Sequence, residues 1–497
     1  MIPAVSRGRS HPMTIFFSLG RVLYLIVIPV LRGAVTALRG GLYAWSSGAW
    51  ADTLVLLFML AFAVISWRRC TYEYDALCLT VRRGVFRSRC VTVPWKQISA
   101  LSKTSPFLLR PFRAAILRAD TIAARSSNGR HDIDICIHEN TALQILEFRR
   151  NSYIHSGKSR MAREYSPGMR SIAAYAFLNS NTFAGIVFLS TFISQTGRLL
   201  GDEFSGRLIG SFERLSRSST MGAIGLPPAA AAISLALLLG WLIAFTLTII
   251  RYHGFKVRDR AGILSVYGGF FTRRQYVVDK NLVNFVDIRQ TAASMLLGLC
   301  SLYICTPGYA VRKDDIACLI PTRRGRSVDF MRELFHDYTP KPPAPHLKPS
   351  PRGKPGYILP ALCPCIGIPA LAVFVLIYFP LSQNYRDLTM FVMIMLLAPS
   401  LLFLLVRWID FRTGGISLDG SGCTLRYSRG FKLHTVAIPG DKIAMAVIRR
   451  SIFQRFRGRC NLIIYSISTK RKTHICRNMV HGEVVRLPIL PILEIGY

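Results

Sequence analysis

The stretch "LTVRRGVFRSRCVTVPWKQI", Leu79–Ile98, alternates apolar and polar residues, bends at Gly84, alternates again and stops at Pro94-Trp95. Period-two alternation interrupted by glycine is the pattern of a β-hairpin. Side chains then point to alternate faces, and glycine supplies the backbone freedom of the turn. Five Lys/Arg in these twenty residues make the stretch too polar to cross a bilayer.

Two later stretches echo it: "LSVYGGFFTRRQYVVDKNLV" (264–283) and "LRYSRGFKLHTVAIPGDKI" (425–443). With Leu79, Leu264 and Leu425 aligned, Gly84, Gly269 and Gly430 fall together, each followed by an apolar residue. The third copy is one residue shorter. Pro94, Asp279 and Pro439 then coincide, and four residues later Ile98, Val283 and Ile443. Further on, Thr104, Arg289 and Arg449 share a column, as do Leu117, Leu302 and Leu462, and Thr121, Thr306 and Ser466. Gly298 and Gly458 share another, in which the first copy has Arg113. Such long units indicate tandem domains, since solenoid repeats recur every ~20–50 residues.

Each copy follows a pair of apolar stretches. The six run from Met13 to Leu38, Ala51 to Trp67, Ile172 to Ser194, Pro228 to Ile250, Tyr357 to Pro380 and Leu388 to Trp408. Each approaches the ~20 residues that a spanning helix needs. The first is interrupted by Arg21 and Arg32, which must snorkel or face protein. The expected organisation is a transmembrane hairpin (1–67), a module (68–155), a second hairpin (172–250), a second module (251–340), a Pro/Lys-rich linker (341–356), a third hairpin (357–408) and a third module (409–497).

Charge supports this topology. Residues 68–171 carry 19 Lys/Arg against 8 Asp/Glu, residues 251–356 carry 18 against 8, and residues 407–497 carry 16 against 5. These segments hold most of the net charge of +37. The positive-inside rule therefore places them, and both termini, in the cytoplasm. The basic balance reads as topology-setting charge attracted to anionic inner-leaflet lipids, not as a nucleic-acid footprint.

The second module shows the local pattern most clearly. Strand-like stretches follow one another at "RYHGFKVRD", "ILSVYGG", "FFTRRQYVV", "VNFVDIRQ", "CSLYICTPG" and "IACLIPT", with a short apolar turn or helix at "TAASMLLGL". The module closes on "SVDFMRELFHD", whose apolar residues have helical spacing. The first module closes likewise on "ENTALQILEFRR", whereas Pro488 and Pro491 shorten any helix in the third. The fold expected is a multi-pass α-helical membrane protein with three cytoplasmic β-barrel domains, closed or half-closed, each with a C-terminal helix over one open end.

These residues resemble the bacterial pleckstrin-homology-like (PH-like), membrane-flanked domain. The resemblance rests on "RYHGF" (Arg251–Phe255), the L-x-V-x-x-G pattern and its basic strand (Leu264–Arg274), "DIRQ" (Asp287–Gln290) and "LLGLCSLYICTPG" (Leu296–Gly308). The first copy departs with Pro106, Pro111 and Arg113, and the third has "RWIDF" (Arg407–Phe411) for "RYHGF". The resemblance implies a pleckstrin-like barrel in the bacterial cytoplasmic membrane, with a part in envelope homeostasis or resistance to membrane-active compounds. It implies neither an activity nor phosphoinositide binding.

No nucleophile, base or phosphate-binding motif stands out, so no catalytic residue, cofactor or metal is expected and the chain is read as a non-enzyme. His131 with Asp132 and Asp134 is the densest candidate cluster, and a solvated hairpin at the Asn128-Gly129 turn explains it better than a metal site. Twelve scattered cysteines without a CxxC pair indicate neither zinc nor disulfides. The surface candidates are the basic residues after each shared glycine: Arg87 and Arg89, Arg273 and Arg274, and Lys432. They could meet lipid phosphates or a partner, or simply form a solvated strand face. The turn glycines Gly84, Gly269 and Gly430 define the repeat. Asn179 and Asn181 lie within the third apolar stretch, where polar groups either join helices or line a path. The leading expectation is a membrane-surface or interaction scaffold. Its partners would be the lipid bilayer, with anionic inner-leaflet lipids, and another membrane protein of the same family. A transporter or exporter component is the alternative.

Overall fold

The decisive stretch is a hairpin, and its strands set the arrangement of everything around it. The structure is a computed structural model. It describes residues 6–16, 57–122, 131–154, 163–180, 228–260, 262–307, 318–323, 347–419, 422–467, 473–487 and 494–495, with a few single positions between them. The chain divides into two units. The first comprises Met1–Ser166, Gly254–Val283 and Thr306–Ile316, and the second Pro167–His253, Asn284–Cys305 and Ala317–Tyr497.

The first unit begins with β1 (Ser6–Arg9) and the apolar helix α1 (Leu57–Arg68). A meander β2 (Thr71–Tyr74), β3 (Cys78–Arg83), β4 (Arg89–Pro94) follows, and β1 extends it to the antiparallel order β1-β2-β3-β4. A 3-10 turn at Trp95–Gln97 leads to a second meander, β5 (Ile98–Pro106), β6 (Ala114–Thr121), β7 (Ile133–His138), and then to helix α2 (Glu139–Ile154). The unit continues with β8 (Arg163–Tyr165), β9 (Lys256–Arg260), β10 (Ile263–Gly268) and β11 (Thr272–Asp279). These strands and the second meander make one seven-stranded sheet, β7-β6-β5-β11-β10-β9-β8. Its core joins Leu79, Val81, Trp95, Leu101, Leu117 and Ile137 to Ala142, Ile145 and Leu146 of α2. The i, i+3, i+4 spacing of those helix residues gives α2 its apolar stripe. Ile263 and Val277, from the next copy, belong to the same core.

The second unit contains helices α3 (Met169–Asn179) and α4 (Pro228–Tyr252). The meander β12 (Phe285–Thr291), β13 (Leu299–Cys305), β14 (Cys318–Arg323) follows, with the short helix α5 (Ala292–Leu296) after β12. Two long helices, α6 (Lys354–Tyr378) and α7 (Gln383–Thr413), form an antiparallel hairpin in which Tyr357 meets Phe411 with ring centroids 5.6 Å apart. The third copy then supplies β15 (Gly415–Asp419), β16 (Gly422–Arg429), β17 (Lys432–Pro439), β18 (Ile443–Arg449), helix α8 (Ile452–Phe456), β19 (Arg459–Ser466), β20 (Thr473–Val480), helix α9 (His481–Val485) and β21 (Glu494–Ile495). The sheets of the second unit have the orders β14-β13-β12-β17-β16-β15 and β20-β19-β18-β21. One core holds Cys423, Leu425, Val436, Ile448, Leu462 and Met479.

Three described helices are long and apolar enough to cross a membrane: Ala230–Tyr252, Pro351–Tyr378 and Tyr385–Thr413. In α4 and α7 the hydroxyls of Thr246, Thr248, Thr389 and Ser400 donate to carbonyls one turn back. Each hydroxyl is thus satisfied within an apolar helix. The first apolar stretch, most of the third and the start of the second lie outside the described residues.

The repeat columns are structural. Pro94, Asp279 and Pro439 each precede a 3-10 turn that ends at Ile98, Val283 or Ile443. In the third copy the register differs. Arg429 pairs with Lys432 across the two-residue turn Gly430-Phe431, where the first two hairpins turn over five residues. Cys423 therefore sits opposite Ile438, in the place that Leu79 and Leu264 hold opposite Val93 and Val278.

The sheets are not closed barrels, which corrects the expected fold. The second meander of one copy instead joins, edge to edge, the first meander of the next: β5 pairs with β11, and β12 with β17. Cross-copy pairing satisfies the exposed N–H and C=O groups of both strand edges. It also buries β5 through all its residues up to Ser105.

Candidate functional site: the apolar and basic tips at the seams

Both seams bring a hairpin tip beside the turn that follows the partner strand. In the first unit Thr272 of β11 lies opposite Pro106 of β5, so the tip at Phe270-Phe271 meets the turn at Phe107–Leu109. Phe107 and Phe271 pack edge to face with ring centroids 6.3 Å apart. Arg110 fastens the two segments, its guanidinium donating to the Phe271 carbonyl at 3.0 Å and to that of Phe270. Phe107, Leu108, Phe112, Phe270 and Phe271 nevertheless stay exposed. Arg113 and Arg273, also exposed, lie beside them.

The second unit repeats this construction. Thr291 of β12 faces Lys432 of β17, so Phe431 at the hairpin tip adjoins α5, whose end exposes Leu296 (86%) and Leu297. Phe431 rests on Phe403 of α7 with centroids 5.8 Å apart. One turn further along α7, Arg407 lies over the Phe403 ring at 5.3 Å, and Arg412 covers Trp408 at 4.4 Å. Arginine and tryptophan at the end of an apolar helix mark an interfacial depth. In the first unit Phe86 occupies the corresponding place: it is 92% exposed and stacks on Phe62 of α1 at 5.9 Å, while Arg69 donates to the Val85 carbonyl at 2.9 Å.

The anticipated basic residues lie around these tips. Arg87 is in the first turn and Arg89 opens β4, both exposed. Arg273 and Arg274 face Ser105 and Thr104 across the seam. Lys432 opens β17, and its Nζ is 3.4 Å from Oδ1 of Asn179, which ends α3. Two residues anticipated for different reasons thus meet, whereas Asn181 lies outside the described residues. The turn glycines all have positive φ: 124° at Gly84, 105° at Gly269 and 60° at Gly430. Arg113, at φ 52°, takes the left-handed place of Gly298 (63°) and Gly458 (62°).

The sequence reading missed the apolar half of the site. Its signal was present as the apolar residue after each shared glycine: Val85-Phe86, Phe270-Phe271 and Phe431. It also missed a buried pair at the second seam. His434 Nδ1 lies 3.0 Å from both carboxylate oxygens of Asp287, and Arg289 Nε donates to the same carboxylate at 2.6 Å. Burial pushes the Asp287 carboxyl up, but Arg289 and His434 outweigh this and hold it well below the usual carboxylate range.

His131 Nδ1 lies 2.7 Å from Asp120, whose carboxyl burial pushes up, and Asp132 accepts from the Thr121 N–H and hydroxyl. Among the described residues, no group of three or more His, Cys, Asp or Glu is placed to hold a metal.

A family model described as "Bacterial PH domain" matches residues 15–150 and 209–334, just over half of the chain. The chain is 20% identical over 306 residues to the UPF0699 transmembrane protein YdbT of Bacillus subtilis (strain 168). That similarity covers 58% of this chain and 60% of the relative, so the chain spans less than two thirds of the relative's length. No solved structure matches the chain.

Proposed function

From the premise that the chain belongs to the bacterial PH domain family and carries membrane-spanning helices, we propose that it is a non-enzymatic scaffold whose PH-like repeats hold the surface of the cytoplasmic membrane. Both termini lie on the cytoplasmic side, and the scaffold serves envelope homeostasis, including resistance to membrane-active compounds. One observation carries the lipid-facing part. The hairpin-tip phenylalanines Phe86 and Phe431 lie against apolar helices at Phe62 and Phe403, and basic residues follow each tip directly. Burying a phenylalanine fully stabilises by about 1.5–3 kcal/mol. Each Lys or Arg near an anionic surface adds about 1 kcal/mol. Aromatic insertion with a basic rim therefore favours anionic inner-leaflet lipid.

The test uses the full-length protein in nanodiscs. Tryptophan placed at Phe431 or Phe86 adds emission over the wild-type background. Lipids brominated near the headgroup should quench that added emission, and more so in anionic than in zwitterionic bilayers. Added emission that no brominated lipid quenches would overturn the reading.

A further inference from the structure

The two seams share one register. Thr104 faces Arg274 in the first and Arg289 faces His434 in the second. Thr104, Arg289 and Arg449 occupy one repeat column, while Arg274, His434 and Arg89 each stand five residues before Asp279, Pro439 or Pro94. A seam always joins a second-meander edge to the first-meander edge of the following copy. Three copies in a row therefore leave one edge of each kind over, β4 and β18.

Both leftover edges look like halves of a seam. Strand β4 is outermost in its sheet among the described residues. Thr92 is exposed there, while Val277 and Ala437, its counterparts at the seams, are buried. Among the described residues, strand β18 pairs on its outer side with only the two residues of β21, in parallel, and exposes Ala444, Met445 and Arg449. The neighbouring side chains complement one another as well. Phe86 holds the column of Phe271, and Ile452 that of Phe107, the pair that packs at the first seam. Among the described residues, Phe86 is a tip without a turn beside it, and Ile452, Phe453 and Phe456 of α8 form an exposed turn without a tip.

We propose that β4 is a docking edge for β18 of a second copy of this chain. The two strands join antiparallel in the seam register, with Arg89 opposite Arg449 and Val91 opposite Val447, and they displace β21. This is strand addition with a head-to-tail, heterologous geometry. It stands apart from the lipid-facing reading, because its test reads chain-to-chain contact and not insertion.

The full-length protein in liposomes tests it in two ways. In a Cys90→Ser background, Arg89→Cys with Arg449→Cys should give disulfide-linked dimers and longer ladders on mild oxidation. The off-register pair Arg89→Cys with Met445→Cys should give far fewer. Separately, energy transfer between donor- and acceptor-labelled copies should report association. Replacing a like-charge cross-strand pair by an opposite one in Arg89→Glu should tighten association about fivefold. Adding Arg449→Glu should cancel that gain, and deleting 494–497 should raise association by freeing β18. Both substituted positions are exposed, so folding is not at stake. Absence of register-specific cross-links, equal yields at both pairs, or cross-links only to a different protein would overturn the proposal.

Discussion

Replacing Asp287 by asparagine tests the buried pair at the second seam. The carboxylate is 1% exposed in the middle of β12 and holds Arg289 Nε at 2.6 Å and His434 Nδ1 at 3.0 Å. Asparagine keeps the shape and removes the charge, which leaves two basic groups facing a neutral amide. Breaking a buried pair in this way costs about 3–5 kcal/mol. Arg289 keeps its stacking over Tyr303 at 3.4 Å, and its side chain is 16% exposed, so about 3 kcal/mol is expected. At ~2–4 °C per kcal/mol for a unit of this size, the melting temperature of the detergent-solubilised protein should fall by about 6–12 °C.

The pH dependence carries the same signature. Asp287 is held below its unfolded pKa, so it binds fewer protons when folded. Its stabilisation is complete above the unfolded value near ~3.9 and is lost as pH falls toward the folded value. Asp287→Asn should therefore flatten the acid limb of the stability curve below pH ~5 and leave its shape near neutrality unchanged. A melting temperature within about 2 °C of wild type, a change of less than about 1 kcal/mol, would refute the argument that this pair holds the seam.

Four further substitutions probe the repeat. Arg113→Gly should raise stability by roughly 1 kcal/mol by relieving a left-handed backbone, measured as a higher melting temperature. Gly84→Ala should cost more than Gly430→Ala although both stand in one column. A Cβ at Gly84 would lie 2.0 Å from the Arg87 carbonyl oxygen, whereas none meets an atom within 4 Å at Gly430. Trp95→Ala should destabilise by about 3–5 kcal/mol in denaturant titration, because the indole is buried, packs on Phe148 at 5.5 Å and donates to the Asp75 carbonyl at 2.8 Å.

Local pattern was legible in the sequence, and partners were not. Alternation and glycine placed the hairpins, since both act within a few residues. The strands read from "ILSVYGG" and "VNFVDIRQ" are β10 and β12. The closing helix of the first copy is α2, and the third is cut to the five residues of α9 just before Pro488. Which edge β11 would choose was hidden, because pairing Val277 with Leu101 joins residues of different copies. The Asp287–His434 pair was hidden for the same reason. No periodic signal connects an aspartate in one strand to a histidine 147 positions on.

Seams and exposed tips are consequences of one register. Because Thr272 pairs with Pro106 and Lys432 with Thr291, each seam must set a hairpin tip beside the preceding copy's turn. The exposed patch at Phe107, Leu108, Phe270 and Phe271 therefore exists only while β5 and β11 stay paired, although no one copy contains it. A substitution that breaks ladder bonds at a seam and leaves every tip residue in place, such as Gln275→Pro in β11, removes an N–H directed at β5, since the Lys280 N–H bonds Gly262 and the ladder to β10 alternates from there. It should abolish lipid quenching of a tryptophan placed at Phe271 and leave that of one at Phe431 intact, since Phe431 belongs to the other seam. Quenching retained at Phe271 would mean that the tip reaches the bilayer without β5 and that the seams have no part in presenting it.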